Sequence, residues 1–237
     1  MSAPDAVPGA RRTRIKICGL TRPQDIDAAV TAGVDAIGLV FYPPSRRRLA
    51  LDQAAALRAR VPAFVGVTAL FVNPDVQLVR SVIDAVHPDL LQFHGEEPPD
   101  FCAEFGVRHM KAFRVGAPGL DTAAGLARAC VSHGQAAGWL FDSYSAGYGG
   151  SGSSFDTALL ADVPRGAGVP ALILSGGLTA ETVGGQIAAL KPFAVDVSSG
   201  VESAPGIKDP ARIRAFVQAV RAADAAPGGF SGGAPAG

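Results

Sequence analysis

Cys18 ends the apolar run "RIKIC" and is followed at once by Gly19 and a helix start. A buried cysteine is a small hydrophobe. The alternative is a reactive thiol, which needs an electropositive, accessible setting. A second strand-end group, Asp142, closes the run "GWLFD". It suits either a loop or helix cap or a functional carboxylate at a strand end. Two glycine-rich segments, "SGGL" (Ser175 to Leu178) and "SSG" (Ser198 to Gly200), leave backbone N–H groups open to an anion such as phosphate. Read locally, they only make tight turns.

Further polar groups stand where other apolar runs end. Gln92 and His94 close "LLQFHG", and Arg46, Arg47 and Arg48 follow "FYPPS" as a contiguous cationic run. Asp196 interrupts the apolar "FAVDVSS", where an unpartnered carboxylate would be costly, so hydrogen-bond partners are expected. "GYGGSG", Gly147 to Gly152, has the spacing of a dinucleotide fingerprint but begins several residues beyond its strand and outside the first strand-to-helix turn. It reads better as a loop that closes over a substrate. His87, His94, His109 and His133 form no H-E-x-x-H pair, and there is no G-x-S-x-G elbow and no P-loop. No metal site is implied.

The elements that must carry these groups are legible as eight short runs rich in β-formers: "RIKIC", "DAIGLVF", "FVGVTALFV", "LLQFHG", "HMKAFRV", "GWLFD", "ALILSGG" and "FAVDVSS". Between them lie alanine-rich segments of helical length. Near-continuous apolar strands that alternate with helices imply parallel strands covered on both faces. Helix starts are read at Thr21 with Gln24 as a capping box, at Asn73-Pro74, at Thr179 before Glu181, and at Asp209-Pro210. Eight such units fit a single-domain (β/α)8 barrel over residues 14–223, with a doubly wound open sheet as the alternative. In a barrel, the strand-end groups collect at the C-terminal face, and the loops after strands seven and eight are the usual phosphate site. Residues 1–13 and the Gly/Pro/Ala-rich segment 224–237 carry too little apolar bulk to pack and are read as disordered tails.

Composition narrows the partners. The 237 residues hold 21 lysines and arginines against 21 aspartates and glutamates, so no whole-chain field favours nucleic acid or an anionic membrane. Three dispersed cysteines form no disulfide framework, which suits a reducing, cytoplasmic setting. No apolar run is long enough for a bilayer, and the N-terminus lacks a signal-peptide core. A small phosphorylated molecule is the expected ligand, bound by a monomer or a homodimer.

In order along the chain, "KICGLT", "GLVFYPPSRR", "LQFHGEE", "LFDS" with "YGGSG", "LSGGL", and "FAVDVSSGVE" with "PGIKD" resemble the phosphoribosylanthranilate isomerases of tryptophan biosynthesis. The resemblance spans about Arg14 to Val220. It implies a (β/α)8 barrel that performs an Amadori rearrangement of N-(5-phosphoribosyl)anthranilate without a cofactor. It also implies Cys18 as general base and Asp142 as general acid. Arg47, counted from Ser45, would hold the anthranilate carboxylate, though Arg46 and Arg48 are adjacent candidates. Gln92, His94 and Asp196 would shape the substrate pocket, with purely structural roles open for His94 and Asp196. Gly150, Gly152, Gly176, Gly177, Ser198, Ser199 and Gly200 would hold the phosphate. The alternatives are a sugar-phosphate-binding barrel that is non-catalytic or acts on a histidine-pathway ribotide, and an isomerase that handles both ribotides. The histidine-pathway relatives use aspartates at the ends of strands one and five, where this chain has Cys18 and Arg114.

Overall fold

The computed structural model describes residues 12–144 and 155–226. Eight parallel strands form a closed ring in chain order: β1 (Arg14–Cys18), β2 (Ala36–Val40), β3 (Gly66–Phe71), β4 (Leu90–Phe93), β5 (His109–Val115), β6 (Gly138–Ser143), β7 (Ala171–Leu174) and β8 (Ala194–Val197). The seam between β8 and β1 sets Lys16 beside Asp196, and that between β1 and β2 sets Cys18 beside Gly38. Closure decides for the barrel over the open sheet. The outer layer comprises α1 (Pro23–Ala32), α2 (Leu51–Arg58), α3 (Val76–Val86), α4 (Pro99–Ala103), α5 (Ala123–Ser132), α6 (Val183–Leu190) and α7 (Pro210–Ala225). After β6 the described chain carries only a 3-10 turn at Thr157–Leu160. A small antiparallel pair, β9 (Glu202–Ala204) and β10 (Ile207–Lys208), precedes α7. No described helix is long and apolar enough to cross a membrane.

Strand alternation explains where the core and the site lie. On β1, Ile15 and Ile17 face outward and join the main core with Leu39, Phe71, Phe93, Ile213 and Phe216. Lys16 and Cys18 face the barrel interior. That interior is packed: Met110, Ala112, Leu140, Ile173 and Ala194 form one apolar cluster, and Cys18, Val40, Leu70 and Val72 form another. The two-residue period that buries isoleucine outside therefore also delivers a lysine and a thiol inside.

Local capping departs from the expected pattern at three of four positions. Asp209 does cap α7, accepting N–H bonds from Ala211 and Arg212. Thr21 does not form a capping box: Arg22 is the N-cap residue of α1, and the Thr21 hydroxyl donates to the carbonyl of Gly206, tying the first and last loops together. Asn73 adopts a left-handed backbone and accepts from the Glu96 N–H, so Asp75 caps α3 instead. Thr182, not Thr179, precedes α6, and its hydroxyl accepts the Thr179 N–H. For Thr21 and Asn73 a tertiary partner competes successfully for the side chain, whereas for Thr179 the partner is local, the Thr182 hydroxyl three residues on.

The domain bounds also move. Thr13 is fully buried and donates from its N–H and its hydroxyl to Asp224 within α7, at 2.9 and 2.7 Å. Both residues, read as tail from composition, latch the first strand to the last helix. Gly150, Gly152 and the rest of "GYGGSG" lie outside the described residues.

Candidate active site

A cleft of about 710 Å³, counting its open mouth, sits at the C-terminal end of the barrel. Cys18, Arg47, Gln92, His94, Asp142, Gly176, Gly177, Asp196, Ser198, Ser199 and Gly200 all line it. Parallel closure is the reason: every strand delivers its last inward side chain and its following loop to the same rim.

Asp142, next to last in β6, has both carboxylate oxygens engaged. Oδ1 accepts the Ser143 N–H at 2.9 Å, and Oδ2 lies 3.2 Å from His94 Nε2. Gln92 Nε2 lies 3.1 Å from His94 Nδ1 and can only donate to it. The neutral imidazole therefore carries its proton on Nε2, aimed at Asp142, and Gln92, His94 and Asp142 form one oriented chain across the mouth. The other amide atom of Gln92, Oε1, is buried without a hydrogen-bond partner.

Cys18 is 6% exposed at the end of β1. Burial pushes its thiol above the ordinary value; Lys16 and Lys208 pull it down, while Asp196 adds to the upward push. The resting group is thus a thiol with two ammonium groups in reach. Asp196 has the partner its setting required: Lys16 Nζ stands 2.9 Å from Oδ1 in a pair that is almost fully buried.

Between β6 and β1, the loops after β7 and β8 supply the glycine cradles. Gly176 and Gly177 have φ of +82° and +62°, a left-handed backbone that favours glycine. A Cβ on Gly176 would stand 2.7 Å from the Ser143 nitrogen and 2.9 Å from Asp142 Oδ1, so this glycine also leaves room for the carboxylate. A Cβ on Gly200 would collide with the Leu178 carbonyl, so the two loops touch through bare backbone. The Ser198 hydroxyl donates to the Cys18 carbonyl at 3.0 Å and lies 3.3 Å from Lys208 Nζ.

Burial separates the three arginines. Arg46 and Arg48 are exposed, while Arg47 turns into the cleft, its side chain 13% exposed. Its Nε and Nη2 each make a 2.7 Å bond to Glu202, whose Oε1 also accepts from Lys208 Nζ at 2.8 Å. That grip occupies one edge of the guanidinium and leaves the Nη1 edge for a second carboxylate. Lys16, Glu202 and Lys208 were not singled out in the sequence. Lys16 carries the signal that marked Asp196, a charge inside an apolar strand; Glu202 and Lys208 carry none, because their burial arises from the β9–β10 hairpin. Arg114, at the end of β5, lies outside the cleft with its guanidinium over Tyr144.

Fold and site together define an enzyme of the (β/α)8-barrel class with its chemistry at the C-terminal face. Residues 15–219 match the family described as N-(5'phosphoribosyl)anthranilate (PRA) isomerase. The chain belongs to that family. It is 62% identical over 213 residues to the N-(5'-phosphoribosyl)anthranilate isomerase of Bordetella petrii, covering 90% of this chain and 97% of that protein. The crystal structure of phosphoribosyl anthranilate isomerase from Thermotoga maritima superposes with a TM-score of 0.79 at 36% identity, covering 89% of this chain and 99% of that one. A structure of such an isomerase in complex with reduced 1-(o-carboxyphenylamino)-1-deoxyribulose 5-phosphate matches with a TM-score of 0.74 at 32% identity, covering 89% and 99%.

Proposed function

We propose that this isomerase converts N-(5'-phosphoribosyl)anthranilate to 1-(2-carboxyphenylamino)-1-deoxyribulose 5-phosphate, with Asp142 as general acid and Cys18 as general base. The observation that carries this reading is the order of groups around the barrel mouth. Asp142 on β6 and Cys18 on β1 flank the two glycine loops after β7 and β8, and Arg47 follows β2 on the far side of Cys18. A phosphate seated on the glycine loops lies between acid and base, with the benzoate directed to Arg47.

Asp142 donates a proton to the ribose ring oxygen as the C1–O bond breaks and the nitrogen lone pair forms the iminium. The Cys18 thiolate then takes the C2 proton, and the electron pair of that C–H bond quenches the iminium to give the enolamine, which tautomerises to the ketose. His94 holds Asp142 in place and offers its Nε2 proton to the carboxylate left behind. Gln92 Oε1, the unpartnered acceptor, suits a substrate hydroxyl or the anilino N–H.

The test is turnover of fluorescent phosphoribosylanthranilate by the purified protein and by two near-isosteric variants. Cys18→Ser and Asp142→Asn should each stay folded and lose kcat by at least ~10²-fold, the low end for general acid–base catalysis. A Cys18→Ser protein with near-normal kcat returns the cysteine to a packing role.

A further inference from the structure

The chemistry assigned to Cys18 needs a thiolate, yet the sulfur sits where burial opposes one. Three features of the barrel interior bear on this. Lys16 and Cys18 are two residues apart on β1 and point to the same side. Gly38, the β2 partner of Cys18, has no side chain: a Cβ there would lie 2.8 Å from Cys18 Sγ and 3.1 Å from Lys16 Nζ, so the missing methyl leaves both groups room on the same side of the strand. Asp196, the β8 partner of Lys16, holds the same ammonium from the other side at 2.9 Å.

We propose that Lys16 is the counter-ion of the Cys18 thiolate, and that Asp196, by competing for the same ammonium, sets how much of its charge the sulfur receives. Neither residue needs to touch the reacting carbon; both act through the sulfur. Burial alone would lower the Lys16 ammonium, but Asp196 and Cys18 outweigh it, so the lysine stays charged. The other ionic groups that act on the thiol are Lys208 and Arg47, both cations held by Glu202. Asp142 and His94 act on Asp196. Of these groups, Lys16 is the cation with the largest effect on Cys18 and Asp196 the anion. When the thiol ionises its proton goes to solvent, and when the thiolate takes the C2 proton the sulfur is neutral again, so the lysine remains an ammonium throughout.

This rests on Cys18 as base, but its test does not. Alkylation of Cys18 by iodoacetamide, followed against pH by mass spectrometry of the Cys18 peptide, reports thiolate formation without substrate. Cys102 and Cys130, whose thiols burial pushes up to about 12, serve as unreactive internal controls. An opposite charge within reach shifts a pKa by ~1–3 units, so Lys16→Met should slow Cys18 alkylation at neutral pH by ~10-fold or more. Asp196→Asn should accelerate it, because the ammonium then has one anion left to serve. Each single variant strands a buried charge. The charge-free pair Lys16→Met/Asp196→Asn avoids that and should react more slowly than wild type and far more slowly than Asp196→Asn. In turnover, the acid limb of the kcat profile should move in the same directions. A structural role for the pair predicts unfolding but no opposed displacement of the alkylation curves. Curves that coincide across wild type, Asp196→Asn and the double variant overturn the proposal while leaving Cys18 as base. A Cys18→Ser enzyme that turns over normally would instead remove the base itself.

Discussion

Glu202 accepts two bonds from Arg47 and one from Lys208, all at 2.7–2.8 Å, with its own side chain 5% exposed. Glu202→Gln keeps the shape but replaces one anionic oxygen by an amide NH2, which must then face a cation. Removing one partner of a buried ion pair costs ~3–5 kcal/mol, and because the amide keeps one acceptor the lower end, ~3 kcal/mol, is expected. For a domain of this size each kcal/mol lowers Tm by ~2–4 °C, giving a drop of roughly 6–12 °C in thermal unfolding. Arg47 loses its fixed edge at the same time, so kcat/KM for phosphoribosylanthranilate should fall by ~10-fold or more through misplacement of the carboxylate clamp. The loss should also depend on pH in a fixed direction. Burial by itself raises the Glu202 carboxyl, but Arg47 and Lys208 overcome it and hold the group below the ordinary glutamate value in the folded protein. Its contribution is therefore complete above that ordinary value, near ~4.3, and is lost as pH falls through the lower folded value. Wild type and variant should accordingly differ most near neutrality and converge in acid. A variant within about 1 °C of wild type at neutral pH, with unchanged KM, would refute the claim that Glu202 holds the arginine in place.

Two further substitutions test the cleft. Arg47→Ala should cost far more in kcat/KM than Arg46→Ala or Arg48→Ala, since only Arg47 lines the cleft and the other two are exposed; equal effects in steady-state assays would contradict that assignment. Gly176→Ala should lower kcat while circular dichroism still reports a folded barrel, because the added methyl presses on the Ser143 nitrogen and Asp142 Oδ1 at a φ of +82°. Unchanged kcat would mean that the loop yields without moving the acid.

All eight strands fall where runs of β-formers lie, because parallel strands buried on both faces leave an apolar signature that survives without tertiary information. The strand-end residues followed, since closure alone brings Cys18, Asp142 and the two glycine loops to one rim. What was not legible depends on partners distant in sequence. Thr21 and Asn73 have the chemistry of helix caps but bind Gly206 and Glu96 instead. Ser198 resembles an anion ligand, yet its hydroxyl serves the Cys18 carbonyl 180 residues away. Which of three arginines enters the cleft is decided by Glu202, and nothing near either residue announces the other.

The charged pairs of the barrel interior also say what the site is optimised for. An apolar pair of similar volume in place of Lys16 and Asp196 would be neutral or stabilising by ~1–4 kcal/mol, because the attraction of two buried charges rarely exceeds the cost of dehydrating both. The strands around them show that apolar packing is readily available: Ala194 lies two residues before Asp196 on the inward face and joins an apolar cluster. Stability therefore does not explain why β1 and β8 place a lysine and an aspartate opposite each other in register, beside a glycine that keeps the space to the thiol open. The same holds for Arg47, Glu202 and Lys208, where two cations share one carboxylate at the rim. Both clusters converge on Cys18, whose ionisation they bias from two directions. The stability forgone in the barrel interior is thus concentrated around the thiol for which the general-base role is proposed.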